Sequence, residues 1–299
     1  MTLQDVIARI PGWTGTGVVT SELGGGITNL NYRVDVGGES FVIRIPGKDC
    51  ELLGIDRHRE YACTLAASRS GVAPEVVQFL EAEGVLVTRF IAGRGMSPDE
   101  IRQAPVLRRV AASLRRFHSG APFPGIFSAF ETVLEYLRIC RAAAPLPARI
   151  DWMADQAAAI HQAMQTVPRP RCPCHNDLLL ANFLDDGELI RIIDWEYAAM
   201  GDPYFDLGNF AVHQGLDDNQ EMIMLEAYFG QARTPDLARL KLMKMLSDLR
   251  EAMWGMVQVT ISELDYDFVA YGQKHFDRYV QQLQDPRLSR WLADAAHAT

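Results

Sequence analysis

The strongest constraint on this chain is the run 174–209, CHNDLLLANFLDDGELIRIIDWEYAAMGDPYFDLGN. A polar loop holding Asp177 and Asn182 gives way to an apolar stretch ending at Asp194, a strand–loop–strand order that brings an acid, an amide and a second acid together. Singly, such residues are turn or cap formers, because their side chains bond their own backbone. As an ordered set they suit phosphoryl transfer: one carboxylate accepts or orients a hydroxyl proton, while an amide and a carboxylate offer the oxygen ligands Mg²⁺ prefers. Asp177 is the expected base, and Asn182 and Asp194 the expected metal ligands.

Protein kinases write this grammar as H-R-D, four residues, Asn, then D-F-G. Here His175-Asn176-Asp177, Asn182 and Asp194-Trp195-Glu196 form a variant of it. His175 is as readily a buried scaffold residue as a chemical participant. The segment resembles the choline/ethanolamine kinase family of the aminoglycoside phosphotransferase superfamily: CHNDLLLANF matches its catalytic motif and IIDWEYAAMGDPYFDLGN its metal motif. GGITNLNYRV at 25–34 is similar to the family's nucleotide loop, and 251–280 to its substrate-side helices. The resemblance implies an α+β, bilobal, protein-kinase-like fold. A small antiparallel sheet with a helix would form a nucleotide lobe at 1–92, and a larger, mainly helical lobe would occupy 93–299. It also implies ATP- and Mg²⁺-dependent transfer to the hydroxyl of choline, ethanolamine or a related amino alcohol. An aminoglycoside or thiamine acceptor is the alternative, and a non-catalytic nucleotide binder a third.

The residues before position 93 read as a sheet. Strands at 31–36 and 39–45 join through Gly37-Gly38, whose positive φ angles suit a tight hairpin. Alternation puts Phe41, Ile43 and Ile45 on one face and Val42 and Arg44 on the other. The second pair corresponds to the adenine-packing and phosphate-reaching positions of a kinase strand, and Arg offers a planar fork to phosphate. Glu60, in a predicted helix over 56–70, is expected to pair with Arg44. The glycines at 24–26 lack the P-loop ending. Followed by a strand, they suit a loop in which Gly25, Gly26, Thr28 and Asn29 approach phosphates. Strands at 78–80 and 85–90 finish the sheet, and backbone groups at Phe90 and Ile91 are expected to meet adenine.

From the capping box Ser97-Pro98-Asp99-Glu100 onward the pattern is helical, with proline-rich breaks at 121–125, 144–148 and 167–173. A methylated ammonium is recognised by aromatic faces and carboxylates, which makes Trp195, Glu196, Tyr197, Trp254, Tyr266 and Phe268 the expected acceptor contacts, with Tyr271 near them. Trp254 aligns with the first Trp of the family's W-G-x-W element, and Val257 stands at the second. Asp206 is expected to support the catalytic loop.

With 299 residues, the chain is long enough for one large domain or two lobes. Its net charge of −9 argues against a nucleic-acid partner and suits a small cationic substrate. Five unpatterned cysteines suit a reducing compartment, and Cys172-Pro-Cys174-His175 lacks the second ligand pair of a zinc finger. No apolar run approaches the roughly 20 residues of a membrane span. The first residues carry no basic and apolar signal pattern, so a cytoplasmic protein is expected.

Overall fold

The computed structural model describes residues 2–14, 17–24, 29–47 and 50–297. Helix α1 (Leu3–Arg9), opened by a Thr2/Asp5 capping box, precedes β1 (Val19–Leu23), β2 (Asn29–Val36) and β3 (Glu39–Pro46). Gly37 and Gly38 have φ of 61° and 82°, the doubly left-handed turn that carries β2 into β3, with Val36 opposite Glu39 and Asn31 opposite Arg44. Helix α2 (Arg57–Ser68) follows, its first amides capped by Asp56, and then β4 (Val76–Leu80) and β5 (Val85–Arg89). The five strands form an antiparallel sheet in the order β1-β2-β3-β5-β4. Alternation along β3 sends Phe41 and Ile43 into a core with Val6, Ile7, Ile10 and Trp13, so α1 covers that face. Neither α1 nor β1 is foreseen from the sequence, since no turn signal or long period marks them.

Strand β6 (Arg94–Gly95) and the single turn α3 (Pro98–Ile101) lead into α4 (Ala104–His118), α5 (Ala129–Cys140) and α6 (Ile150–Thr166). The Ser97–Glu100 box is formed, but its helix stops after one turn and restarts at α4. Two of the proline-rich breaks fall between α4 and α5 and between α5 and α6, and the third follows α6 and runs into β7 (Cys172–Cys174), which takes its last two residues. The chain then runs through β8 (Phe183–Asp185), β9 (Ile190–Ile192), β10 (Ala199–Gly201), α7 (Pro203–Gln214), α8 (Asp218–Phe229), α9 (Thr234–Ile261), α10 (Phe268–Leu283) and α11 (Leu288–Ala296). Strand β7 pairs with β10, and β6, β8 and β9 form a second small sheet, so 174–209 is framed by two short ladders. Buried almost end to end, α9 is the axis on which α5, α7, α10 and α11 pack.

The larger core also takes in Cys63 and Ala67 of α2. Helix α2 therefore clamps the sheet to the helical part, and its Glu60 is carried to the cleft between them.

Candidate active site

One cleft is lined by Val42 and Arg44 of β3, Thr88 of β5, Phe90 and Ile91 after it, and Asn182 and Asp194 of the 174–209 run. Arg44 Nη1 lies 2.5 Å from Glu60 Oε1 and 2.8 Å from Asp194 Oδ1, joining three distant segments of the chain. Asp194 Oδ1 is buried, and the Arg44 guanidinium is its one close polar neighbour among the described residues. Burial, against the pull of Arg44, raises the Asp194 carboxyl to about 6. Its backbone holds a left-handed φ of 69°, an uncommon conformation for a non-glycine. Asn182 directs its amide nitrogen to the Asp177 carbonyl at 2.8 Å, which leaves its carbonyl oxygen for other partners. A carboxylate and an amide oxygen lining one cleft are the kind of oxygen ligands that a hard divalent cation takes.

The Asp177 loop is held at nearly every residue. Asp206 of α7, fully buried, accepts the His175 amide at 2.8 Å through Oδ2 and the Asn176 amide at 2.7 Å through Oδ1. Asn209 Oδ1 accepts the Leu178 amide at 2.6 Å, and Gln214 Nε2 donates to the Leu178 carbonyl at 3.2 Å. Asn176 adopts φ 66° while its amide donates to the Tyr197 carbonyl. His175 is fixed at both ring nitrogens: Nδ1 accepts the Asp177 amide and Nε2 donates to the Ile193 carbonyl. Burial pushes its pKa down to about 4, so the ring is a neutral scaffold. Burial also pushes the Asp177 carboxyl up, and Arg250 Nη1, 3.6 Å away, opposes that rise.

On the far side of Asp177, Arg250 also pairs with Glu251 and stacks over Tyr197, its guanidinium carbon 4.4 Å from the ring centroid. The Tyr197 hydroxyl accepts Trp254 Nε1 at 2.9 Å, and the Tyr271 hydroxyl donates to Glu251 Oε2 at 2.7 Å. Trp254 lies edge-on to Tyr271 and Phe268 at 5.6 and 6.0 Å, and Tyr266, half exposed, leans on Phe268 at 4.9 Å. An aromatic wall therefore stands behind Asp177, linked to it through Glu251 and Arg250.

Several expectations change. Trp195 is not on this wall: its indole is buried against Phe117, Phe123 and His175, and Nε1 donates to the Ile192 carbonyl, because α4 closes over that side. The Glu196 carboxylate accepts Asn29 Nδ2 at 2.8 Å and Arg57 Nη1 at 3.0 Å, so it ties the start of β2 and α2 to the loop instead of facing an acceptor. Asn29 is correspondingly held by Glu196 and Arg57. The Phe90 N–H already bonds the Ser40 carbonyl, and the Ile91 carbonyl accepts Gly93 N, so an adenine edge would meet the Phe90 carbonyl and the Ile91 N–H. Val257 is fully buried. Gly25, Gly26 and Thr28 lie outside the described residues.

Sequence reasoning missed Arg57, Arg250 and Glu251. Arg250 stands four residues before Trp254 on α9, and that helical spacing was the available signal.

Residues 19–243 match the family described as Phosphotransferase enzyme family. The chain is similar to the protein LicA of Haemophilus influenzae, 26% identical over 269 residues that cover 87% of this chain and 79% of that protein. It is similar to the crystal structure of a choline/ethanolamine kinase family protein from Mesorhizobium loti, with 35% identity, a TM-score of 0.87, and coverage of 99% of this chain and 98% of that one. A LicA structure in complex with AMP shares the fold at a TM-score of 0.75, with 21% identity and coverage of 96% of this chain and 98% of that one. Among the described residues, no helix is long and apolar enough to cross a membrane.

Proposed function

Because the chain belongs to the phosphotransferase enzyme family, in its choline/ethanolamine kinase branch, and so phosphorylates an alcohol, we propose that it moves the γ-phosphate of ATP to the hydroxyl of choline, ethanolamine or a related amino alcohol. The observation that carries this is the meeting of Arg44, Glu60 and Asp194 within 2.5–2.8 Å in the cleft that also holds Asn182, with Asp177 and an aromatic wall beyond it. The nucleotide would sit between lobes 1–92 and 93–299, its adenine against Val42 and the 90–91 backbone.

Asn182 and Asp194 would hold Mg²⁺, which would supply positive charge to offset that of the phosphates. Arg44, locked by Glu60, adds fixed positive charge on the same side. Asp177 accepts a hydrogen bond from the acceptor hydroxyl and aligns its oxygen with the phosphorus; Arg250, 3.6 Å away, holds that carboxyl in place and counters the upward pull of burial on its pKa. Positioning and electrostatics carry the reaction, since transfer of a metaphosphate-like group asks little covalent help.

An ammonium next to that hydroxyl would meet the faces of Trp254, Tyr266 and Tyr271 and the carboxylate of Glu251, the chemistry that stabilises a cation that cannot donate hydrogen bonds. Acceptor-dependent ADP formation, measured across choline, ethanolamine, thiamine and an aminoglycoside, tests the acceptor class. The amino alcohols should give the highest kcat/KM, and a higher value for the aminoglycoside or thiamine would overturn the assignment.

A further inference from the structure

Strand β7, whose end feeds directly into His175, carries two thiols that the phosphoryl-transfer chemistry does not use. Residues two apart on a strand share a face, and Cys172 Sγ lies 3.7 Å from Cys174 Sγ. His118, at the end of α4, brings a third group: one of its ring nitrogens and both sulfurs all fall within 4.8 Å of one another. His118 is in turn oriented by Asp206, Nε2 to Oδ2 at 3.0 Å, and by the Tyr228 hydroxyl at Nδ1, 2.6 Å. Cys172 is half-buried and Cys174 fully buried.

We propose that Cys172 is an oxidant-sensitive nucleophile, set by His118 and Asp206, and that Cys174 is its resolving thiol, so that a peroxide converts the pair into a disulfide at the root of the catalytic loop. A thiol beside a histidine held by a carboxylate, with a partner thiol in reach, is the arrangement that makes cysteine reactive. The charges agree with this placement. The Cys174 thiol at 3.7 Å and the nearby His118 hold the Cys172 thiol low against burial, and burial holds that of Cys174 high. Burial pulls His118 down, but Asp206 outweighs it and raises the imidazole to about 9.

The Cys172 thiolate attacks one peroxide oxygen; the S–O bond forms, the O–O bond breaks, and the departing alkoxide or hydroxide takes a proton. Cys174 then loses its proton and attacks the sulfenyl sulfur; the S–S bond forms, and the S–O bond breaks as hydroxide leaves as water. Two thiols are oxidised by two electrons, and hydrogen peroxide is reduced to two waters. Residues two apart on an extended strand are about 6.6 Å apart at Cα, near the upper end of what a disulfide spans. The bond is therefore strained and readily reduced, as labile disulfides are.

The remaining cysteines are internal controls. Burial pushes the thiol of Cys63 up to about 12 and that of Cys140 up to about 11, and it raises Cys50. The fully reduced full-length protein, treated with equimolar hydrogen peroxide, alkylated and mapped by mass spectrometry, should lose two hydrogens within the peptide containing 172–174. Cys50, Cys63 and Cys140 should stay alkylatable, and dithiothreitol should restore the pair. In Cys174→Ser, Cys172 should be trapped as its sulfenic-acid adduct by a 1,3-diketone, at least about tenfold faster than Cys140 in the same sample. Cys174→Ala repeats that measurement if the serine disturbs folding. Oxidation spread evenly over the five cysteines, or Cys172 trapped no faster than Cys140, would overturn the proposal.

Discussion

Replacing Asp206 with Ala removes one side chain and leaves three donors without an acceptor: the His175 and Asn176 amides and His118 Nε2. All three residues are buried, so water does not readily replace the carboxylate. Each orphaned buried amide costs about 1–3 kcal/mol. The two amides together give about 4 kcal/mol, a large share of the 5–15 kcal/mol that folded domains typically hold. The same loss frees the backbone that aims Asp177, and a displacement of about 1 Å at a reacting group costs on the order of 10²-fold in rate. Urea unfolding of the variant should show that destabilisation, and hydrogen exchange should show accelerated loss at the His175 and Asn176 amides in particular. Acceptor-dependent turnover should fall about 10²-fold. Asp206→Asn, which keeps one acceptor oxygen, should land between the two. A loss below about 1 kcal/mol with unchanged turnover would refute the clamp.

Trp254→Leu keeps an apolar side chain but removes the indole face; acceptor KM should rise about tenfold, within the range of a desolvated cation–π contact, while nucleotide KM stays put in the same assay. Glu60→Gln weakens the hold on Arg44 and Arg57, so nucleotide KM should rise and kcat fall, with acceptor KM little changed. The Asp194 carboxyl, lifted by burial from 3.8 to about 6, must lose its proton before it can bind a cation. Mg²⁺ affinity, followed by calorimetry with a non-hydrolysable nucleotide, should therefore weaken as pH falls below about 6 and level off above it. The sign is opposite for folding of the metal-free protein: a raised carboxyl pKa makes this group's contribution most favourable below pH 3.8 and erodes it as pH rises through about 6.

What could be foreseen from sequence was what local periodicity encodes. The β2–β3 hairpin, the split of Phe41 and Ile43 from Val42 and Arg44, and the helix expected over 56–70 each depend on residues a few positions apart, and the structure has them. Asp177, Asn182 and Asp194 could be singled out for the same reason. Side-chain partners from far along the chain could not. Trp195 sits beside Asp194 in sequence, yet its ring is claimed by Phe117 of α4, and Glu196 is claimed by Asn29 and Arg57. Arg250 faces Asp177 only because α9 runs behind the loop. Cys172 and Cys174 looked like half a metal motif until α4 placed His118 beside them.

The most direct test is phosphorus NMR of the wild-type protein with Mg-ATP and choline or ethanolamine, run beside folded Asp177→Asn. The wild type should convert the γ-phosphate resonance into a phosphomonoester of the acceptor with matching ADP, and the variant should leave ATP intact although it still binds it. An unchanged ATP spectrum with wild-type protein, or equal phosphomonoester formation by the variant, would contradict phosphoryl transfer at Asp177.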